Sequence, residues 1–138
     1  MQINAYLGFD GQCEEAFLFY EKLFGGKIQG IFRYEGTPVA SHVPPEWAKK
    51  IMHVTLVAEQ STIMGSDAPP GQNAGPVKRI CMSIGLKDEA RAKSLFAGLA
   101  EGGTVQMPLA PTFWAAQFGM LTDRFGIPWM INCEGAAQ

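Results

Sequence analysis

Ile3, Ala5, Leu7 and Phe9 alternate with Asn4, Tyr6 and Gly8, the period of a strand with one face covered. Asp10 and Gly11 end that run, and from residue 12 the spacing changes. Ala16, Phe19, Tyr20 and Leu23 recur three and four apart, which predicts an amphipathic helix over residues 12–24, stopped by Gly25-Gly26. Residues 27–34 read as a second strand. Residues 35–49, with Gly36, Pro38, Pro44 and Pro45, read as a long loop with a short turn of helix near 46–50. Strands follow at 51–58 and 62–65, so the first half has the order βαβββ.

Residues 68–76, APPGQNAGP, carry three prolines and two glycines and predict a linker. Beyond it the pattern restarts, with an alternating strand over 79–86 and a helix over 87–100 stopped by Gly102-Gly103. Sliding the chain by 77 residues places Ile3 on Ile80, Leu7 on Ile84, Gly8 on Gly85, Leu18 on Leu95, Phe19 on Phe96 and Gln29 on Gln106. The two glycine pairs superpose in the same register. The chain therefore reads as two βαβββ modules, residues 1–67 and 77–138, within a single domain. Its last hairpin is the most strongly marked. Strands at 117–122 and 129–133 flank the turn residues Asp-Arg-Phe-Gly-Ile-Pro at 123–128. The fold class is α+β. A βαβββ unit leaves one sheet face without a helix, and two units set edge to edge would curve into a cupped mixed sheet whose open side accepts a ligand.

Composition narrows the function classes. The chain has 138 residues, 47% of them hydrophobic and 17% charged, a globular balance. A net charge of -2 gives no basic footprint, so neither nucleic acid nor an anionic membrane is expected as a partner. No apolar run approaches the roughly 20 residues that span a bilayer, and the first residues do not have the pattern of a secretory signal. Cys13, Cys81 and Cys133 are odd in number and form no Cys-x-x-Cys pair, which fits reduced thiols in a cytoplasm.

The string FWAAQFGMLTDRFGIPWMIN resembles the closing hairpin of PhnB-like proteins of the vicinal-oxygen-chelate superfamily, which includes glyoxalases, extradiol dioxygenases and bleomycin-resistance proteins. The opening AYLGFDGQCEEAFLFYEKLFGG is similar to the first strand and helix of the same family. The resemblance implies two βαβββ modules around a shared cavity and a homodimer. In the superfamily's metalloenzymes it also implies a divalent ion held by His or Gln from each first strand and by Glu or His from the last strand of a module. Carried onto this chain, the first-strand positions are Asn4 and Cys81, or Ala5 and Met82 one residue later, and the last-strand positions are Met64 and Met130. None is an imidazole or a carboxylate, so no metal and no other cofactor is expected.

The remaining chemistry is sparse. His42 lies in a Pro-flanked loop, His53 begins the third strand, and Glu134 shares the parity of Met130. There is no Gly-x-Ser-x-Gly elbow. The lack of a Gly-x-Gly-x-x-Gly turn and of a phosphate loop argues against a methyltransferase that uses S-adenosylmethionine. No catalytic residue is assigned. A soft aromatic pool remains, and with His53 as a polar anchor beside it the candidate ligand contacts are Tyr6, His53, Met64, Cys81, Trp114, Phe118, Trp129 and Met130. Such a lining suits a small hydrophobic or aromatic ligand. The sequence points to a small-molecule-binding protein without a catalytic metal; the other reading is a metal-dependent lyase or dioxygenase of the same superfamily.

Overall fold

The computed structural model describes residues 1–71 and 80–135. The chain forms two compact units, Met1–Gly75 and Pro76–Gln138, each built on one plan. The first runs β1 (Ala5–Phe9), α1 (Cys13–Phe24), β2 (Lys27–Arg33), β3 (Ile51–Ala58) and β4 (Ser61–Asp67). Its sheet has the order β1-β4-β3-β2, with β1 parallel to β4 and the other pairs antiparallel. α1 carries the chain across the sheet from β1 to β2 at the opposite edge, and β3 and β4 then bring it back so that β4 lies parallel beside β1.

Alternation along the strands decides which face α1 covers. Leu7, Phe9, Val54, Leu56 and Ile63 are buried, and α1 buries Cys13, Ala16, Phe17 and Tyr20 against that face. The Phe17 ring meets Phe9 edge-on at 6.0 Å and Tyr20 at 5.8 Å. The buried stripe thus contains Phe17, while Phe19 and Leu23, which the spacing had placed in it, are half-buried. The helix approaches β4 so closely that a Cβ at Gly65 would lie 2.6 Å from the Phe17 ring. Gly25 ends α1 in the left-handed conformation (φ 70°), and its N–H donates to Glu21 O.

Gln12 makes no side-chain cap at the start of α1. Asp67, at the far end of β4, caps it instead. Its Oδ1 accepts the N–H groups of Gly11 and Cys13, each at 2.9 Å, and its Oδ2 accepts Ile51 N–H at 2.9 Å. Tyr34 donates its hydroxyl to Asp67 O at 2.6 Å, closing the same corner. Single 3₁₀ turns at Ala40–His42 and Pro45–Trp47 occupy the long loop, somewhat before the expected turn at 46–50.

The second unit runs β5 (Met82–Leu86), α2 (Glu89–Ala100), β6 (Thr104–Ala110), β7 (Gln117–Thr122) and β8 (Pro128–Cys133). Its sheet has the order β5-β8-β7-β6, with β5 parallel to β8. Asp88 caps α2 by accepting Arg91 N–H at 3.1 Å, and Ala92, Leu95, Phe96 and Leu99 form the buried stripe. In the β7–β8 turn, Asp123 Oδ1 accepts the N–H groups of Phe125 and Ile127, and Oδ2 accepts the indole N–H of Trp129 at 2.9 Å.

The α+β class and the paired βαβββ modules are therefore as the pattern predicts, with one four-stranded mixed sheet per module. A shift of 77 carries β1 onto β5 and β2 onto β6, and α1 onto α2 within one residue. Ile3 and Ile80 precede their strands and are exposed, and β4 is longer than the expected 62–65. Residues 72–76 of the expected linker, and Arg79 of the expected strand over 79–86, lie outside the described residues. Among the described residues, no helix is long and apolar enough to cross a membrane.

Candidate functional site

Each sheet gives alternate positions to its helix and the intervening positions to the opposite, open face. In the first unit the open face carries Tyr6 on β1, Met64 on β4, His53 and Thr55 on β3, and Phe32 on β2. Tyr6 pairs with Met64, Met64 with Thr55, and Phe32 with His53. These pairings bring the polar side chains into contact. Tyr6 Oη lies 3.1 Å from His53 Nδ1, and His53 Nε2 lies 3.1 Å from Thr55 Oγ1. The Tyr6 and His53 rings are 5.6 Å apart.

A neutral imidazole donates through one nitrogen and accepts through the other, so the chain runs in one of two directions. Either Tyr6 donates to Nδ1 and Nε2–H donates to Thr55, or Thr55 donates to Nε2 and Nδ1–H donates to Tyr6. In both, His53 is held at two points. Tyr6 is 51% and Phe32 56% exposed, so the chain ends at an exposed tyrosine, and an exposed ring stands across the β2–β3 pairing from His53.

The open face of the second unit has a different character. Its positions are Ser83 on β5, Met130 and Asn132 on β8, and Phe118 and Met120 on β7. Trp114, 50% exposed, packs edge-on against Phe118 at 5.3 Å, and Phe113 packs edge-on against Trp114 at 4.8 Å. Thr112 Oγ1 accepts Ala115 N–H at 3.1 Å and fixes the loop that carries this cluster.

Of the sequence candidates, Tyr6, His53 and Met64 share the first open face, and Phe118 and Met130 share the second, with Trp114 packed against Phe118. Cys81 precedes β5, half-buried, at the parity of Ser83. Trp129 does not join them and is corrected to a core residue. Adjacent strand residues point to opposite faces, so with Met130 on the open side Trp129 meets the helix side, 2% exposed and bonded to Asp123. Met82 and Ile84 lie on that same covered face. Thr55 was not among the candidates, although its place two residues after His53 on one strand gives it the same face.

The positions implied for a divalent ion do not fit one. Met64 and Met130 offer thioethers, and Cys81 a thiol, soft donors unsuited to the hard and borderline ions of the superfamily's enzymes. His53 would have to surrender a hydrogen bond to Tyr6 or Thr55 before it could ligate. Glu134 stands beyond β8, exposed, its N–H donating to Leu86 O at 2.7 Å. His42 sits exposed in a 3₁₀ turn of the long loop. No group of three or more His, Cys, Asp or Glu side chains is placed to hold an ion among the described residues. The buried thiols are poor nucleophiles. Burial pushes Cys13 up, with Asp67 and Glu14 adding to the effect, and burial pushes Cys133 up as well.

A polar groove of about 550 Å³ lies beside the start of α1. Its main charges are used inside the protein. Arg33 grips Glu14 with two hydrogen bonds of 3.0 and 2.7 Å, Lys50 donates to Gly11 O at 2.9 Å, and Asp67 caps α1. The Arg33 hydrogen bonds hold the Glu14 carboxyl below its usual range. In this groove Arg33, Glu14, Lys50 and Asp67 are all bonded to other parts of the protein, whereas the first open face ends in an exposed tyrosine.

Residues 1–132, which include every residue of both open faces, match the family model described as 3-demethylubiquinone-9 3-methyltransferase. The chain belongs to this PhnB-like family. It is 30% identical to protein YjdN of Escherichia coli strain K12 over 140 aligned positions, 96% of this chain and 95% of that one. The crystal structure of PA1353 from Pseudomonas aeruginosa is 46% identical, covers 97% of this chain and 98% of its own, and superposes with a TM-score of 0.88. A PhnB protein from Bacillus cereus, described as a putative 3-demethylubiquinone-9 3-methyltransferase, is 25% identical over 96% of this chain and 99% of that one, with a TM-score of 0.82. The fosfomycin resistance protein FosX of Listeria monocytogenes is only 8% identical yet superposes over 98% of this chain and 94% of that one with a TM-score of 0.66, which shows a common fold.

Proposed function

We propose that this family member binds a small, largely apolar organic molecule and does so without a catalytic divalent metal. The observation that carries the reading is His53. The superfamily's metalloenzymes use imidazole as a ligand, and here the only histidine on a described strand has both ring nitrogens engaged by Tyr6 and Thr55. The side chains around it, Met64 and the exposed Phe32, favour contact with a flat apolar body over coordination of an ion. The Trp114–Phe118 cluster gives the second unit a surface of the same kind.

The methyl transfer in the family's description forms no part of the proposal. The β1–α1 and β5–α2 connections, around Asp10-Gly11 and Lys87-Asp88, lack the Gly-rich strand-to-helix turn that would cradle a nucleotide-like cofactor.

The proposal extends to a cytoplasmic homodimer. All three cysteines are free thiols, as a reducing compartment keeps them. The edge strand β6 exposes Val105 and Met107, which a second copy would cover. Light scattering should give twice the chain mass; a monomer alone would remove the dimer from the account. Elemental analysis of protein purified without chelator tests the absence of a metal. Substoichiometric Zn, Ni, Fe and Mn is expected, and one equivalent per chain would favour the metal-dependent lyase or dioxygenase.

A further inference from the structure

We infer that Tyr6, positioned by His53 and Thr55, is the specificity-determining contact for ligands that carry a hydroxyl on a planar body, as phenols and enols do. The inference rests on the binding function proposed above and names the ligand class of the first open face.

The duplicated fold supplies an internal control. Tyr6 pairs with Met64 as Ser83 pairs with Met130. Met64 pairs in turn with Thr55 as Met130 pairs with Met120. His53 and Phe118 each stand two residues before those partners. The positions of Tyr6, His53 and Thr55 in one module are therefore held by Ser83, Phe118 and Met120 in the other. The second module builds the same strand order and helix crossover without the Tyr, His and Thr side chains, and of its three positions only Ser83 carries a hydroxyl. The hydrogen-bonded chain is not something the fold requires.

The chemistry of the chain selects its partner. Tyr6 Oη can donate one hydrogen bond and accept two, and His53 takes only one of these. Because the imidazole can run the chain in either direction, Tyr6 presents only lone pairs in one and its proton with a remaining lone pair in the other. A ligand hydroxyl donates and accepts, so it continues the chain whichever way the protons run. A carboxylate only accepts, so it fits only the direction that leaves the Tyr6 proton free, and an ammonium, which finds a lone pair in both, would lose its hydration against the apolar Phe32 and Met64. Phe32, across the β2–β3 pairing from His53, and Met64, beside Tyr6, supply the apolar contact for a planar body.

The test compares 4-cyanophenol with benzonitrile, its counterpart without the hydroxyl, by calorimetric titration at neutral pH. The wild type should bind the phenol about tenfold more tightly, the gain of one well-formed hydrogen bond. In Tyr6→Phe that preference should fall below about twofold, through weaker binding of the phenol. His53→Phe, which copies the residue at the equivalent register of the second module, should lose the preference as well. Tyr6→Phe/His53→Phe should add nothing to either single change, because the three groups act as one chain. Equal binding of the two probes by the wild type, or a preference that survives in Tyr6→Phe, would overturn the inference and leave the binding function standing. Failure of both probes to bind at millimolar concentration would overturn the binding function and the inference with it.

Discussion

Asp67, the last residue of β4, accepts the backbone N–H of Cys13, the first residue of α1, at 2.9 Å. That bond joins residues 54 positions apart and replaces the cap that Gln12 does not provide. With Gly11 and Ile51 the carboxylate satisfies three backbone donors, and its two oxygens are both acceptors. Asp67→Ala should destabilise the protein by about 3 kcal/mol or more, since each orphaned buried donor costs about 1–3 kcal/mol. Asp67→Asn should also be costly, because its amide nitrogen would face an N–H donor in either orientation. Urea midpoints measure both, and an effect below about 1 kcal/mol for Asp67→Ala would contradict the capping role.

Glu14 and Arg33 form a two-pronged pair whose side chains are 44% and 34% exposed. Solvent screens such a pair, so Glu14→Gln should cost less than about 1 kcal/mol at neutral pH. The folded carboxyl titrates below its usual value of 4.5. Its contribution is therefore fully present above that value and is lost as pH falls through the lower folded value. Stability curves of wild type and Glu14→Gln should converge at acid pH and draw closer in molar salt. A gap that widens on acidification would have the wrong sign for this pair.

Gly65 lies under α1 with Leu7 O 2.8 Å from the place of a Cβ. A backbone oxygen cannot swing aside as a side chain can, so Gly65→Ala should destabilise by about 2–3 kcal/mol. Gly126, which has nothing near its Cβ position but a φ of 89°, provides a contrast in which any cost comes from backbone strain alone. Equal thermal shifts for alanine at the two sites would argue against steric contact as the cause at Gly65.

The repeat was legible because it is written in local chemistry. The Gly pairs after each helix, the alternation in β1 and β5, and the turn residues between β7 and β8 each act within a few residues. Residues 51–58 could be bounded as a strand for the same reason. Asp67 was not legible, because an acid at the end of an apolar strand looks like a solvent-facing boundary until the fold brings Gly11 and Cys13 to it. The helix stripe was misplaced between Phe17 and Phe19 because a run of four large apolar residues, Phe17 to Tyr20, fits more than one helical face. For the site, His53 and Tyr6 could be singled out by type, but their contact depends on β1 and β3 both flanking β4. Trp129 and Met130 are sequential strand residues and cannot share a face, a constraint already present in the sequence.

The most direct test of the account is the affinity of the protein for 4-cyanophenol before and after exhaustive dialysis against a strong chelator. If the open face of the first unit binds through Tyr6, His53 and apolar contacts, the dissociation constant should agree within about twofold in the two samples. Adding Zn, Ni, Fe or Mn back should leave it unchanged. Loss of binding on chelation, with recovery when one equivalent of a divalent ion is restored, would contradict metal-free binding and place an ion at the centre of this protein's chemistry.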